Sequence, residues 1–408
     1  MKIGIIGAGA SGLLTAITSK NDSNEVIVFE KNESVGKKIL VTGNGKCNYW
    51  NEDQSINKFV SKNIELIEQV IDKESAYEVL NLFTSLGIIP KIKNGYYYPT
   101  TNSASTIKNV LYDECIKRGV VFKTGINIDD VIEEDNKFIL KTKNESYEVD
   151  ILVISTGSKA APKTGSDGFG YEILERFGHN INLPLPGLCA LKVKSPYKSW
   201  SGVRTDVIVS LYEDDEFIVK DEGELQLTDY GISGICVFNL SLYASLGLSY
   251  GKKEQVKINF VPFIKEDINE WFIKQSNLTK KTVHEIVKCI LHEKIVNILL
   301  EKSKIRNVLY EELTNEEKEK LIKNLTCFNV DIEDTNTFDN AQVCIGGVSL
   351  EEINLKTMES SIVKNLFITG EVLDITGYCG GYNLGIAFRT GLKAGNYIRG
   401  LKWLELDK

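Results

Sequence analysis

The chain has little histidine: three residues among 408, at positions 179, 284 and 292. With so few imidazoles, neither a Ser–His–Asp triad nor a histidine-rich metal centre is easy to assemble. His284 and His292 lie two helical turns apart, do not form HExxH, and read as surface or boundary residues. The eight cysteines (47, 115, 189, 236, 289, 327, 344 and 379) are scattered and never form CxxC. That argues against a disulfide framework or a zinc site and leaves free thiols. Positive charge is also short, with 48 Lys and Arg against 56 Asp and Glu and a net charge of −8. Such a balance speaks against non-specific attraction to nucleic acid or an anionic membrane. No apolar run approaches the length of a membrane span, and the first residues show no secretory-signal pattern. A cytoplasmic protein without membrane or nucleic-acid partners is expected.

What is present is an ordinary globular composition, 42% hydrophobic and 25% charged, in a chain long enough for two or three domains. Its most informative stretch is the first thirty residues. Lys2 to Ile6 is a short apolar, β-branched run that reads as a buried strand. It ends in Gly7-Ala8-Gly9-Ala10-Ser11-Gly12, a full GxGxxG, and a helical pattern follows (Leu13, Leu14, Ala16, Ile17). A second strand, Glu25 to Phe29, ends at Glu30. Gly7 allows the tight turn, Gly9 lets a pyrophosphate approach the backbone, and Gly12 lets the helix pack closely on the strand. The helix opening at Ala10 and Ser11 offers free N–H groups and a dipole that favour phosphate. Glu30 sits where a carboxylate hydrogen-bonds a ribose hydroxyl. A lone GxGxxG is a weak signal, but here its strand, its helix and its acid are all in place.

The loop after Glu30 is rich in Gly, Asn and Lys. Lys37, Lys38 and Lys46 are candidates to meet phosphate, and Gly43 and Gly45 allow close backbone approach. Cys47 has no second cysteine nearby and reads as a small packed residue rather than a redox partner. Residues 56–87 carry helical spacing closed by Gly87, and a helix is expected over 105–118. Between them, Tyr96, Tyr97 and Tyr98 read equally as core or as pocket lining. Residues 120–154 alternate as strands, the last of which runs into Thr156-Gly157. Pro184 and Pro186 mark a change of texture. Beyond them 190–262 read as β, with a turn and short helix at 231–245, and 264–326 read as helices. Thr314 with Glu317 forms a capping box. From 341 the parallel-sheet texture returns. A strand over Asn365 to Thr369 leads to Gly370-Glu371 and Asp374. Gly380-Gly381-Tyr382-Asn383 then opens a helix. This second strand, acidic glycine turn and helix start suits a ribityl chain and pyrophosphate.

Taken together, GAGASG, VFEKNESVGKKILVTGNGKCN, GELQLTDYGISG and CIGGVSLEEINLKTMESS…LFITGEVLDITGYCGGYNLGIAFRTGLKAG resemble one family. It is the bacterial aminoacetone oxidase-like and BaiN-type NAD(P)/FAD-dependent oxidoreductase family, the HI0933-like flavoproteins. The resemblance covers most of the chain and is most specific at 36–48 and 345–395. Leu227 stands where phenylalanine is usual, and Ile235-Cys236 where an apolar residue or proline is usual. The resemblance implies an α/β fold. A Rossmann-type FAD-binding domain of the glutathione-reductase type (1–186 and 341–408) would be split by two insertions. These are a β-barrel-like domain (187–263 with part of 327–340) and a small helical subdomain (264–326). It also implies a cofactor-binding set. Gly7, Gly9, Ala10, Ser11 and Gly12 would hold the pyrophosphate, with Glu30 and Lys31 at the adenosine ribose and Lys37 or Lys38 beside it. Asn44, Gly45, Cys47 and Asn48 would pass near the cofactor, and Ile128 would offer backbone to adenine. Thr156 and Gly157 would cover the pyrophosphate side. Gly370, Glu371 and Asp374 would meet the ribityl–phosphate segment, and Gly381, Tyr382 and Asn383 would face the isoalloxazine.

The expected activity is an FAD-dependent oxidoreductase acting on a small molecule, with hydride chemistry supplied by the flavin. The chain has one strand-anchored GxGxxG and hence no dedicated second Rossmann domain, so NAD(P)H, if it is the donor, would bind transiently. The alternatives are an oxygen-using amine oxidase of the aminoacetone type and a non-enzymatic redox-sensing FAD protein. An NAD-dependent dehydrogenase is disfavoured by the C-terminal motif, and RNA modification by the charge. No catalytic acid or base is assigned; Tyr98 and Tyr382 are the candidates.

Overall fold

The computed structural model describes residues 1–401. The chain divides into two compact units, Met1–Leu185 with Phe338 onward, and Pro186–Thr337.

The first unit is built on the stretch Lys2–Ile6. This strand is central in a sheet ordered Leu366–Ile368, Ile151–Ile154, Lys2–Ile6, Glu25–Glu30, Val121–Thr124, all parallel, with two short strands extending the Leu366 side. All of these but the edge strand Val121–Thr124 are almost continuously apolar and buried, as a parallel sheet covered on both faces requires. On one side lie the helices Ala10–Ser19, Ala104–Lys117 and Tyr382–Gly400. The first of these is buried from Ser11 to Ser19. It packs so tightly on the last helix that a Cβ at Gly391 would sit 2.4 Å from the Ser11 carbonyl oxygen. Thr15 Oγ1 donates to the Gly391 carbonyl there at 3.1 Å. An antiparallel meander, Asp130–Glu134, Lys137–Lys141 and Ser146–Val149, packs through Val149 on Gly4. The sequence reads YEVDILVIS as one strand, but the structure breaks it at Asp150 into a meander strand and a sheet strand. The Asp150 carboxylate accepts the Lys2 N–H at 2.7 Å. The helical spacing over 56–87 yields a regular helix only at Lys73–Ser85, capped by Asp72.

The second unit is a closed six-stranded antiparallel barrel with helices Ile235–Ser249, Ile268–Thr279, Val283–Ile290, Glu293–Ser303 and Asn315–Thr326. Barrel residues such as Val207, Val256 and Phe328 share one apolar core with helix residues such as Phe272, Val287 and Leu321. The short helix expected after GISG is fifteen residues long and buried along most of its length. The stretch 283–303 is broken at Leu291, where His292 caps the second piece by accepting the Lys294 N–H at 3.2 Å. The Thr314–Glu317 capping box forms. Among the described residues no helix is long and apolar enough to cross a membrane.

Glu254 is an outlier in this unit. It is 1% exposed, and neither carboxylate oxygen finds a donor. It stands opposite Glu213 across two barrel strands. Burial and the Glu213 charge push its pKa from 4.5 up to about 8, so the proton stays on and the neutral carboxyl donates to Glu213. Because the folded state holds this proton more tightly than the unfolded chain, stability falls as pH rises from the ordinary carboxylate range through about 8. Glu254→Gln is expected to remove that slope. In urea unfolding the variant should be the more stable protein at pH 8 and match the wild type near pH 5.

Candidate functional site

The site residues gather where the parallel strands end. The central strand stops at Ile6, and Gly7 turns with φ +105°, where a Cβ would lie 2.4 Å from the Ser155 carbonyl oxygen. Gly12 packs on that turn, its missing Cβ leaving only 2.0 Å to the Gly7 carbonyl oxygen. Gly9 differs from both. It is the N-cap of the first helix, makes no side-chain cap, and a Cβ there would meet nothing within 4 Å. The first-turn N–H groups of a helix have no intrahelical acceptors, and the space beside Gly9 is clear. This is a cradle for an anionic group, made by backbone alone.

Glu30 closes one side. It is 8% exposed; Oε2 accepts the Ala8 N–H at 2.9 Å, and Oε1 accepts the Asn32 N–H at 2.9 Å and its amide at 2.7 Å. A carboxylate offers about four acceptor positions, so one remains. The Ile126 N–H donates to the Glu30 carbonyl at 3.1 Å, which lays the segment leading to buried Ile128 alongside this acid. Lys31 forms an ion pair with Asp167 at 2.6 Å. Lys37 is exposed, with its Nζ 3.4 Å from Asn32.

Lys38 is held more firmly. Its Nζ lies 2.6 Å from Glu371 Oε2 and 3.2 Å from the Ala160 carbonyl, while Ser158 Oγ donates to Glu371 Oε1 at 2.8 Å. These three side chains tie together the loops that follow three different strands of the sheet. Thr156 and Gly157 lie half-buried just before Ser158. Gly370, with φ +80°, places the last of these turns on the first helix, since a Cβ there would sit 2.4 Å from Ser11 Oγ. The N-terminal and C-terminal motifs, more than 350 residues apart in the chain, thus share one site.

Other expected contacts are already engaged within the protein. Asp374 is buried, and its Oδ2 accepts the Lys62 N–H at 3.0 Å and the Asn182 amide at 2.8 Å. Burial raises its pKa in spite of those donors. Asn383 clasps Gly377, accepting its N–H and donating to its carbonyl, both at 2.8 Å. Asn44 is exposed in a left-handed turn, next to half-buried Gly45. The Asn48 amide, oriented to bond, donates to the Tyr97 carbonyl at 3.1 Å and the Trp50 carbonyl at 3.0 Å. Cys47 is fully buried and its thiol is pushed up to about 11 by burial, so it is neutral and packed. Gly381 caps the last helix without a side chain. Tyr382 beside it is buried edge-on to Phe59, and burial raises its phenol. Tyr98 is half-buried and raised for the same reason.

Arg389 did not stand out in the sequence. It is 1% exposed, its guanidinium lies 4.7 Å from the Trp50 ring centroid, and it donates to the Asp72 carbonyl at 2.9 Å and Gln54 at 3.0 Å. Desolvation lowers its pKa to about 10. The available signal was an arginine inside the apolar, glycine-spaced run of the last helix.

A backbone cradle at the central strand, an acid at the tip of its neighbour and a second helix start from the chain's far end define a Rossmann-type FAD-dependent oxidoreductase. Comparison with known proteins agrees. The chain belongs to the HI0933-like family, whose Rossmann domain matches residues 1–397. It is 37% identical over 402 residues to the 3-dehydro-bile acid delta(4,6)-reductase of Clostridium scindens, covering 97% of this chain and 98% of that one. It is 28% identical over 380 residues to the ribosomal RNA dihydrouridine synthase of Escherichia coli, covering 93% of each. In fold it resembles the 3-ketosteroid-delta4-(5alpha)-dehydrogenase of Rhodococcus jostii RHA1, with a TM-score of 0.51 at 12% identity over 98% and 96% of the two chains.

Gly9 and Gly12 separate binding from folding. Gly9→Val is expected to melt within a few degrees of the wild type yet purify with most of its flavin lost. Gly12→Val, driven into the Gly7 carbonyl, should lose well over ~2 kcal/mol of stability. Thermal unfolding by circular dichroism and the flavin-to-protein absorbance ratio measure the two effects.

Proposed function

We propose that the protein is a cytoplasmic, FAD-dependent reductase that saturates a carbon–carbon double bond conjugated to a carbonyl in a small organic molecule, with NAD(P)H as transient donor. The supporting observation is the full-length likeness to a bile-acid delta(4,6)-reductase joined to the open Gly9 cradle. The more distant dihydrouridine synthase acts on the same chemical unit, since the uracil double bond that is saturated is also conjugated to a carbonyl. Both names therefore involve a carbon–carbon double bond conjugated to a carbonyl. Of the two substrate classes, the small molecule is favoured by the higher identity and by the net charge of −8, which opposes approach to RNA.

On this reading bound FAD would supply the hydride chemistry. The chain's residues bind and orient. The first helix N-terminus receives the pyrophosphate, and the remaining acceptor position of Glu30 receives a ribose hydroxyl. The Lys38–Glu371–Ser158 cluster fixes the loops over the ribityl segment. The start of the last helix, set by the Asn383 clasp on Gly377, would offer its N–H groups to the electron-rich edge of the ring. Tyr98 and Tyr382 are the candidate proton donors, and their raised phenols stay protonated at neutral pH.

The test is the visible spectrum of the purified holoprotein, followed anaerobically after adding NADH or NADPH and then a 3-oxo-4-ene steroid. Bleaching by the nicotinamide and recovery on adding the steroid are expected. Bands that persist with both nicotinamides, but bleach with an amine and return with oxygen, would replace this reading with the oxidase. Bands that respond to no donor would favour a non-enzymatic flavoprotein.

A further inference from the structure

Arg389 departs from the rule that a buried charge is paired with an opposite one. It is 1% exposed. Its guanidinium donates to the Asp72 carbonyl at 2.9 Å, the Val70 carbonyl at 3.5 Å, Ser75 Oγ at 3.3 Å and Gln54 Oε1 at 3.0 Å. All four acceptors are neutral, and among the described residues Nε finds no acceptor. The carboxylate of Asp72 serves other donors. It lies 2.6 Å from Lys393 Nζ and accepts the Ser75 N–H at 2.7 Å. Two cations and one anion thus meet here, and one positive charge is left over.

That charge sits on the helix whose start adjoins the site. Gly381, Gly385 and Arg389 are spaced by four and share one helix face, and Trp50 runs down it. Trp50 belongs to a three-stranded antiparallel ribbon of Trp50–Asn51, Tyr96–Pro99 and Pro90–Lys93, in which it pairs with Tyr97 and Asn51 pairs with Tyr96. A Cβ at Gly381 would lie 2.7 Å from the Trp50 carbonyl, and one at Gly385 would lie 3.5 Å from its indole. The Arg389 guanidinium covers the same indole at 4.7 Å. At ~1.5 Å per residue, Arg389 is about 12 Å along the axis from Gly381, and helical side chains lean back toward the N-terminus. Trp50, 3% exposed, fills the space between, so water screens the charge weakly. Asp53, the acid that acts on Tyr382 at the helix start, is itself offset by Lys58 at 4.0 Å.

We infer that Arg389 is a fixed positive charge that raises the reduction potential of the bound flavin. Hydride transfer brings the ring two electrons and one proton, so the ring gains one negative charge. The last helix offers that charge the partial positive end of its dipole, and Arg389 adds a whole charge to the same helix. Desolvation lowers the arginine only to about 10, so it stays charged at neutral pH. Arg389 touches no reacting atom. It acts through the field across Trp50, easing reduction of the ring by the donor and weakening the reduced ring as a donor in turn. The inference rests on the flavin reading, with the ring at the start of the last helix, and holds whichever substrate is reduced.

The experiment measures the midpoint potential of the flavin in the holoprotein, by anaerobic equilibration with a dye of known potential. It compares the wild type with three variants. Arg389→Met removes the charge. Arg389→Lys keeps the charge and gives up the planar fork of donors. Gln54→Glu leaves the arginine in place and sets a carboxylate against it, where an amide oxygen now lies at 3.0 Å. Arg389→Met and Gln54→Glu are each expected to lower the equilibrium constant for two-electron reduction about tenfold, or about 30 mV, with flavin content unchanged. Arg389→Lys should stay near the wild type. A potential unmoved by Gln54→Glu overturns the inference. So does a fall as large in Arg389→Lys as in Arg389→Met, because contacts rather than charge then decide. Should Arg389→Met not fold, Gln54→Glu decides alone, since it keeps every arginine contact. A wild type that carries no flavin even after FAD is added overturns the flavin reading itself. A flavin-loaded wild type whose potential matches that of all three variants overturns only the role given to Arg389.

Discussion

The first unit depends on how closely the first helix approaches backbone on two sides. Gly12 meets the Gly7 carbonyl, and Gly391 of the last helix meets the Ser11 carbonyl. Neither contact admits a Cβ. Together they fix the helix N-terminus at the end of the central strand, with clear space beside Gly9. A charge-free backbone site of this kind needs no side chain to bind an anion, but it does need its axis held still. The tight packing supplies that.

A second layer of constraint is polar. Lys38, Ser158 and Glu371 join loops that follow three separate strands. Asn383 fixes the turn at Gly377, and buried Arg389 ties the last helix to the segments at Gln54 and Asp72. Removing one partner from such a set leaves a buried polar group unsatisfied, which costs more than the bond itself contributed. These side chains hold in place the loops at the end of the parallel sheet.

The second unit follows a different logic. Barrel and helices share one apolar core, and among its unsatisfied buried polar groups is the carboxyl of Glu254 beside Glu213. A carboxyl kept neutral by burial is tolerable where a carboxylate would not be.

Much of this was legible from residue order alone. Periodicity set the strands of the parallel sheet, and the spacing of Gly7, Gly9 and Gly12 with Glu30 at the next strand's tip set the cradle. Those signals are local, because a turn that excludes Cβ or a run of β-branched residues is written in adjacent positions. The partners of polar side chains were not legible. That the side chains of Asp374 and Asn383 are bonded to protein groups could not be read from residue order. YEVDILVIS read as one strand until Asp150 met the backbone of Lys2. The tyrosine stretch read equally as core or pocket, and only the ribbon register put Tyr97 on one face and Tyr96 and Tyr98 on the other. A hydrogen bond or an ion pair is decided by distance in space, and its partner here lies up to 378 residues away in sequence. The sequence therefore determined the scaffold and the kind of cofactor it suits, while the tertiary structure decided which polar groups satisfy one another and which remain for a ligand.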